Sequence, residues 1–125
     1  MAKVFVFGNS LIEKDSLALT IAERLKGKVK GIEFKAVESL DEVEKSDNLY
    51  IMDVALGIEK VRLIKDLNKL NTGHPIGGHD FDLAMELKLL QKLGKIGNVR
   101  IIAIPANCNL EKAVKEVKRL LESLE

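Results

Sequence analysis

The feature that most constrains the fold is an alternation of short apolar runs with stretches that repeat apolar residues at helical spacing. The runs at 4–7, 49–52 and 99–104 are rich in β-branched or aromatic residues, which is typical of buried strands. Strands that alternate with helices favour a mostly parallel, twisted sheet with helices on both faces. We therefore predict an α/β fold of about five strands, forming a single domain over residues 1–125.

Three helices are predicted from apolar stripes with a period near 3.6 residues. They cover 17–25, about 80–93, and a C-terminal stripe that starts after an N-cap at Asn109 and ends at Leu124. The first two are followed by glycines that are well placed to end them. Each helix therefore has one apolar face to pack against the sheet.

The remaining segments have weaker patterns. Residues 32–36 alternate apolar with charged side chains and predict a half-exposed strand, whereas a capping box predicts a short helix at 39–45. The stretch 60–65 alternates like an edge strand, although the same residues also fit a helix. We predict a strand there and a loop at 71–78, which is rich in helix-breaking residues.

The charge balance excludes two classes of partner. The chain has 20 basic and 19 acidic residues and a formal net charge of +1, so we expect no nucleic-acid or membrane partner. No apolar run approaches the roughly 20 residues that span a bilayer. The single cysteine, Cys108, permits neither an intrachain disulfide nor a thiolate zinc cluster. We expect a cytoplasmic protein.

Three polar residues stand where a ligand would bind in such a fold. Asp15 follows the first predicted strand, Asp53 follows the third, and His79 precedes the second long helix. Ligands of open α/β sheets bind beyond the carboxyl ends of the strands, so these side chains could converge. Two carboxylates and an imidazole suit a divalent transition metal and leave positions open for water or substrate.

Each candidate also has an ordinary structural interpretation. Asp15 is a natural N-cap for the first helix, and Asp53 could accept hydrogen bonds from loop amides. His79 could be a cap or a surface residue, while Cys108 is expected to pack as a small apolar group. Spacing alone therefore does not decide whether a metal site exists.

Four motifs, in chain order, resemble those of nickel-iron hydrogenase maturation proteases. Residues 8–15 read Gly-Asn-Ser-Leu-Ile-Glu-Lys-Asp and resemble the opening Gly-Asn-x-Leu-x-x-Asp-Asp/Glu signature. The apolar strand that leads to Asp53, the helix that opens at His79, and the apolar run 101–105 resemble the other three. The resemblance spans essentially the whole chain.

This resemblance implies a function and a site. Members of the family are endopeptidases that recognise nickel already inserted into a hydrogenase large-subunit precursor and then remove its C-terminal extension. Asp15 and Asp53 match the family's two acidic metal-binding residues, and His79 matches its histidine ligand. The implied partner is the precursor, the implied metal is nickel carried by that substrate, and we expect the chain to act as a monomer.

One departure from the family keeps a second interpretation open. Lys14 stands where the family usually has an acidic residue, so a non-catalytic relative that binds a hydrogenase subunit or nickel is the main alternative. A receiver-like domain would use Asp53 as phosphoacceptor, but residues 8–10 lack its acidic pair and residues 105–107 lack its lysine. No G-x-G-x-x-G or P-loop pattern supports nucleotide binding.

Overall fold

The computed structural model describes residues 2–8, 17–38, 42–43, 47–55, 58–65 and 80–124, and for 80–84 it describes the backbone alone. The elements in chain order are β1 Ala2–Phe7, α1 Leu17–Leu25, β2 Ile32–Val37, β3 Asn48–Ala55, β4 Arg62–Ile64, α2 Asp80–Lys92, β5 Asn98–Pro105 and α3 Leu110–Ser123. The sheet order is β2-β1-β3-β5-β4, in which β4 pairs antiparallel and the other strands pair parallel. The predicted α/β fold is therefore confirmed.

The two faces of the sheet build two separate apolar cores. Side chains of a strand alternate between faces, so Met52 and Val54 of β3 pack with α1 and α3, while Leu49 and Ile51 pack with α2. The helices contribute fully buried residues to their own face, such as Ile21 of α1 and Leu87 of α2. The prediction of helices on both faces is confirmed.

The chain changes direction within the sheet between β1 and β3. From β1 the connection through α1 leads outward to β2, and from β3 the chain leads the opposite way, to the edge strand β4 and then through α2 to β5. The connection from β2 back to β3 places Val43 in the core that contains α2, on the face opposite α1. Neighbouring strands whose connections leave in opposite directions form a topological switch point, and a crevice opens there at their carboxyl ends.

Most predicted elements agree with the structure, with one correction. The strand predicted at 60–65 is β4, an antiparallel edge strand. The prediction that the third strand stops at Asp53 was wrong, because Asp53 and the two residues after it continue the pairing with β5. The short helix predicted at 39–45 lies outside the described residues apart from 42–43, and the loop at 71–78 lies wholly outside them. Of the described helices, none is long and apolar enough to cross a membrane.

A close backbone approach makes Gly97 a sensitive position at the start of β5. The Asn98 N–H donates to the Asp47 carbonyl oxygen at 2.7 Å, and a Cβ at Gly97 would overlap that same oxygen. Gly94 also precedes β5 and has a φ of 71°, but a Cβ there would meet nothing within 4 Å.

We expect Gly97→Ala to lower the free energy of unfolding by about 2–3 kcal/mol, because the first β3–β5 pair must shift. Gly94→Ala should cost about 1–2 kcal/mol, which is the penalty of a left-handed backbone conformation alone. Urea unfolding followed by circular dichroism measures both variants. An equal or smaller loss for Gly97→Ala would contradict the close approach.

An ion pair joins the two helices on one face of the sheet. Arg24 of α1 donates to Glu111 of α3 at 2.6 Å, and this contact lowers the pKa of the Glu111 carboxyl. A lowered folded-state pKa means that the pair stabilises the protein above the ordinary glutamate pKa and that this contribution is lost as pH falls through the folded pKa.

We expect Glu111→Gln to lower the melting temperature slightly at neutral pH, because both partners are exposed and solvent weakens the pair. The difference from the unsubstituted protein should shrink in strong salt and vanish below the folded pKa of Glu111. Calorimetric melting curves across acidic pH measure it. A difference that persisted in strong acid would show that the ionised pair is not its cause.

Candidate active site

Asp53 is the one buried charged residue among those the structure describes, with 5% of its surface exposed. Its Oδ1 accepts a hydrogen bond from the Val54 N–H at 2.8 Å. Removing a carboxylate from water costs several kcal/mol unless hydrogen bonds or charges compensate. A buried carboxyl group at a position where the neighbouring strand carries an apolar residue is a candidate functional group.

The described neighbours of Asp53 along β3 and across to β5 are apolar. Alternation along β3 places it on the α2 face, between Ile51 and Ala55 on the same strand. Its partner on β5 is Ala103, which is fully buried. An apolar environment lowers the local dielectric response, so the carboxylate interacts more strongly with any cation that reaches it.

The other two predicted site residues, Asp15 and His79, lie outside the described residues. The elements that follow them are described. Both α1 and α2 lead into the amino end of a parallel strand, so each helix begins towards the carboxyl edge of the sheet. Asp15 precedes α1 by two residues, and His79 directly precedes α2. Their convergence with Asp53 stays a prediction.

The metal site is likewise a prediction. Within the described ranges, no group of three or more His, Cys, Asp or Glu side chains could hold a metal ion. That finding says nothing about Asp15 and His79, two of the three predicted ligands, because both lie outside the described ranges. Asp53 supplies an oxygen ligand of the kind that the set requires.

Cys108 lies after β5, at the same edge of the sheet, but its environment is that of a packed thiol. It is half-buried and contacts the core formed with α1 and α3. Burial raises the pKa of the thiol, and the negative charge of Glu116 raises it further. Because the thiolate is the nucleophilic form, both effects lower the reactivity of this cysteine. The prediction that Cys108 packs as a small apolar group is confirmed.

The strand registers also place Arg62, a residue that was not predicted for the site, on the sheet face of Asp53. It pairs with Ala103 of β5, which in turn pairs with Asp53 of β3. Arg62 therefore lies in the same cross-strand row as Asp53. No sequence motif includes Arg62. The alternation at 60–65 assigns it to a face of the sheet only when the register between β4 and β5 is known.

Among solved structures, the chain is similar to the crystal structure of the Hydrogenase 3 maturation protease. The TM-score is 0.71, and the match covers 100% of this chain and 92% of that chain at 18% sequence identity. This is the fold of a hydrogenase maturation protease. The resemblance first indicated by four sequence motifs is thus confirmed at the level of the fold. No protein-family model matches the chain, and no curated protein matches it significantly in sequence.

If the charge of Asp53 serves function rather than stability, neutralising it should leave the fold intact. Asp53→Asn keeps an oxygen that can accept from the Val54 N–H, so we expect the free energy of unfolding to change by less than about 1 kcal/mol. Asp53→Ala leaves the buried Val54 N–H without this acceptor and should lower the free energy of unfolding by about 1–3 kcal/mol. Urea unfolding compares the two, and equal losses would mean that the charge itself holds the fold.

Proposed function

We propose that this chain is a cytoplasmic, nickel-dependent endopeptidase that removes the C-terminal extension of a nickel-iron hydrogenase large-subunit precursor. The observation that carries the proposal is the buried Asp53 carboxylate on β3, beside the switch point between β1 and β3. It occurs in a fold shared with a hydrogenase 3 maturation protease. The sequence motifs that contain Asp15 and His79 support the same function.

Asp53 is suited to recognising a cation that the substrate carries. The Val54 N–H orients its carboxylate, and the apolar surroundings strengthen its electrostatic interactions. With Asp15 and His79 it would complete a set of two oxygen ligands and one nitrogen ligand, which suits nickel. Binding through this set makes cleavage conditional on the presence of nickel in the precursor.

The chemical step is hydrolysis of one peptide bond. The oxygen of water adds to the scissile carbonyl carbon, the carbon–nitrogen bond breaks, and a proton from the water passes to the leaving amine. Asp53 has two candidate roles in this step. It would either hold the substrate's nickel, which would supply Lewis-acid polarisation of the carbonyl or the water, or accept the proton of the water as general base.

The departure at Lys14 favours one alternative, a relative that binds the precursor or its nickel without cutting. A lysine places positive charge next to the predicted ligand Asp15, where the family usually has an acidic residue. Positive charge there opposes cation binding. This alternative predicts nickel-dependent binding of the precursor without loss of its C-terminal extension.

A cleavage assay tests the proposal. The purified chain is mixed with nickel-loaded precursor, or with nickel-free precursor as control, and mass spectrometry reads the precursor's C-terminus. We expect trimming only with nickel, and a rate at least about 100-fold lower in Asp15→Asn, Asp53→Asn and His79→Ala, because each removes a ligand or the base.

Two matched substitutions control for nonspecific effects. Asp47→Asn makes the same change as Asp53→Asn at an exposed position at the amino end of β3, and His74→Ala removes the other histidine. Both should cut at the normal rate.

The outcomes separate the candidates. Trimming that needs no nickel, or that survives all three site substitutions, would contradict the proposal. A precursor that stays uncut here, while a known processing enzyme still trims it, excludes this substrate. Nickel-dependent binding without trimming identifies the non-catalytic relative. If Asp53→Asn binds the nickel-loaded precursor but does not cut it, Asp53 is the base, and loss of binding marks it as a ligand.

A further inference from the structure

Strand β2 forms one edge of the sheet. In the part of the chain that the structure describes, β2 pairs with β1 alone, and the nearest helix, α1, packs mainly over β1 and β3. The strand has six residues, contains no proline, and keeps an uninterrupted register with β1. A regular edge strand of this kind presents backbone N–H and C=O groups to which another strand can add.

The pairing with β1 determines which backbone groups of β2 point outward. The Ala2 N–H donates to the Gly31 carbonyl oxygen at 2.7 Å, and Ala2 is registered with Ile32. Alternate residues of a parallel strand bond to the same neighbour, so residues 31, 33, 35 and 37 bond to β1. The backbone groups of Ile32, Phe34 and Ala36 therefore point away from the sheet.

One of these outward groups already has a partner. The Ile32 N–H donates to the Val29 carbonyl oxygen at 3.4 Å, within the turn that precedes β2. The Ile32 C=O and both backbone groups of Phe34 and Ala36 are left on the outer side of the strand. They alternate along β2 with the spacing that an antiparallel neighbour requires.

The side chains of β2 form a pattern that is complementary to itself. Glu33 and Lys35 are exposed on one face of the strand, and Phe34 lies between them on the other face, half-buried against the core formed with α1 and α3. If two such strands lie antiparallel with Phe34 opposite Phe34, each Glu33 lies opposite Lys35 of the other strand. These are the pairs without backbone hydrogen bonds, in which side chains approach most closely.

Neighbouring registers do not have this complementarity. Paired residues of one sheet must point to the same face, so the register can change only in steps that preserve the alternation. Centring the pairing on Glu33, or on Lys35, places like charges directly opposite each other, which is unfavourable. Charged side chains on an edge strand also discourage pairing with unrelated strands. The same two charges therefore favour a second copy of this chain in a single register.

We propose that two copies of the chain pair through their β2 strands, antiparallel and centred on Phe34, to form one continuous sheet. Each Phe34 N–H donates to the Phe34 C=O of the other copy, and each Ala36 N–H donates to the Ile32 C=O of the other copy. The arrangement has two-fold symmetry, as most homodimers do. Asp53 lies on β3, and β1 separates it from this edge, so the dimer does not depend on the proposed function.

Charge reversal tests the register. Sedimentation equilibrium of the purified chain over about a 100-fold range of concentration should show a monomer–dimer equilibrium. Glu33→Lys and Lys35→Glu should each weaken dimerisation at least about tenfold, because either change turns both opposite-charge pairs into like-charge pairs. The double variant Glu33→Lys/Lys35→Glu should dimerise again.

Mixing the two single variants gives a sharper result. Each alone repels itself, but a copy with Glu33→Lys and a copy with Lys35→Glu restore both opposite-charge pairs between them. We expect a heterodimer, which native mass spectrometry distinguishes when one variant is labelled with ¹⁵N.

Two further variants control for nonspecific effects. Glu23→Lys makes the same change of charge at an exposed position on α1 and should dimerise normally. Ala36→Pro removes an N–H that points away from β1, which an edge strand tolerates, and should weaken the dimer while the monomer stays folded. Circular dichroism checks that every variant is folded.

Hydrogen exchange locates the interface. The amide protons of Phe34 and Ala36 should exchange more slowly as the protein concentration rises, whereas those of Glu33 and Lys35, which bond to β1, should be protected at every concentration. A chain that stays monomeric throughout, as expected from the sequence, would overturn the proposal. So would a dimer that the charge reversals do not weaken, or one that leaves exchange at Phe34 unchanged.

Discussion

The structure depends above all on the hydrogen-bonded pairing of β3 with β1 on one side and β5 on the other. Because β3 is enclosed by neighbours, successive side chains must enter opposite layers, and both layers are apolar. One core joins the sheet to α1 and α3, and the other joins it to α2. Asp53 occupies one of these inward positions, so the proposed site includes a residue of the strand that organises the molecule.

Under the proposed function, this placement joins stability and chemistry in one residue. A carboxylate in an apolar layer lowers the margin of stability, yet the same surroundings make it a stronger ligand or base. The many buried residues of β3 and β5 stabilise the sheet, so the fold tolerates the burial of Asp53. Packing alone gives no reason for a buried carboxylate, so Asp53 is the candidate for a chemical role. Cys108 packs as a small apolar group and needs no chemical role to explain its position.

The likeness to a hydrogenase 3 maturation protease at 18% identity shows how little of the sequence the fold requires. The layers need apolar side chains at the correct period, and many combinations of Val, Ile, Leu and Ala satisfy that requirement. Chemistry is less permissive, because it depends on a few polar residues at the carboxyl ends of the strands. The proposed activity therefore depends on Asp15, Asp53 and His79 rather than on the overall similarity.

The sequence by itself determined the α/β class, the three helices and the buried strands, because hydrophobic period is a local property that reports which side of an element faces a core. It also marked Asp53 as a candidate. Only the tertiary structure decided that 62–64 forms an antiparallel edge strand, since that stretch fits both periods and its pairing with β5 selects one. Pairing likewise carried β3 past Asp53 to Ala55. The alignment of Arg62 with Asp53 arises from two strand registers, and register is set by contacts between distant segments, which no local pattern encodes.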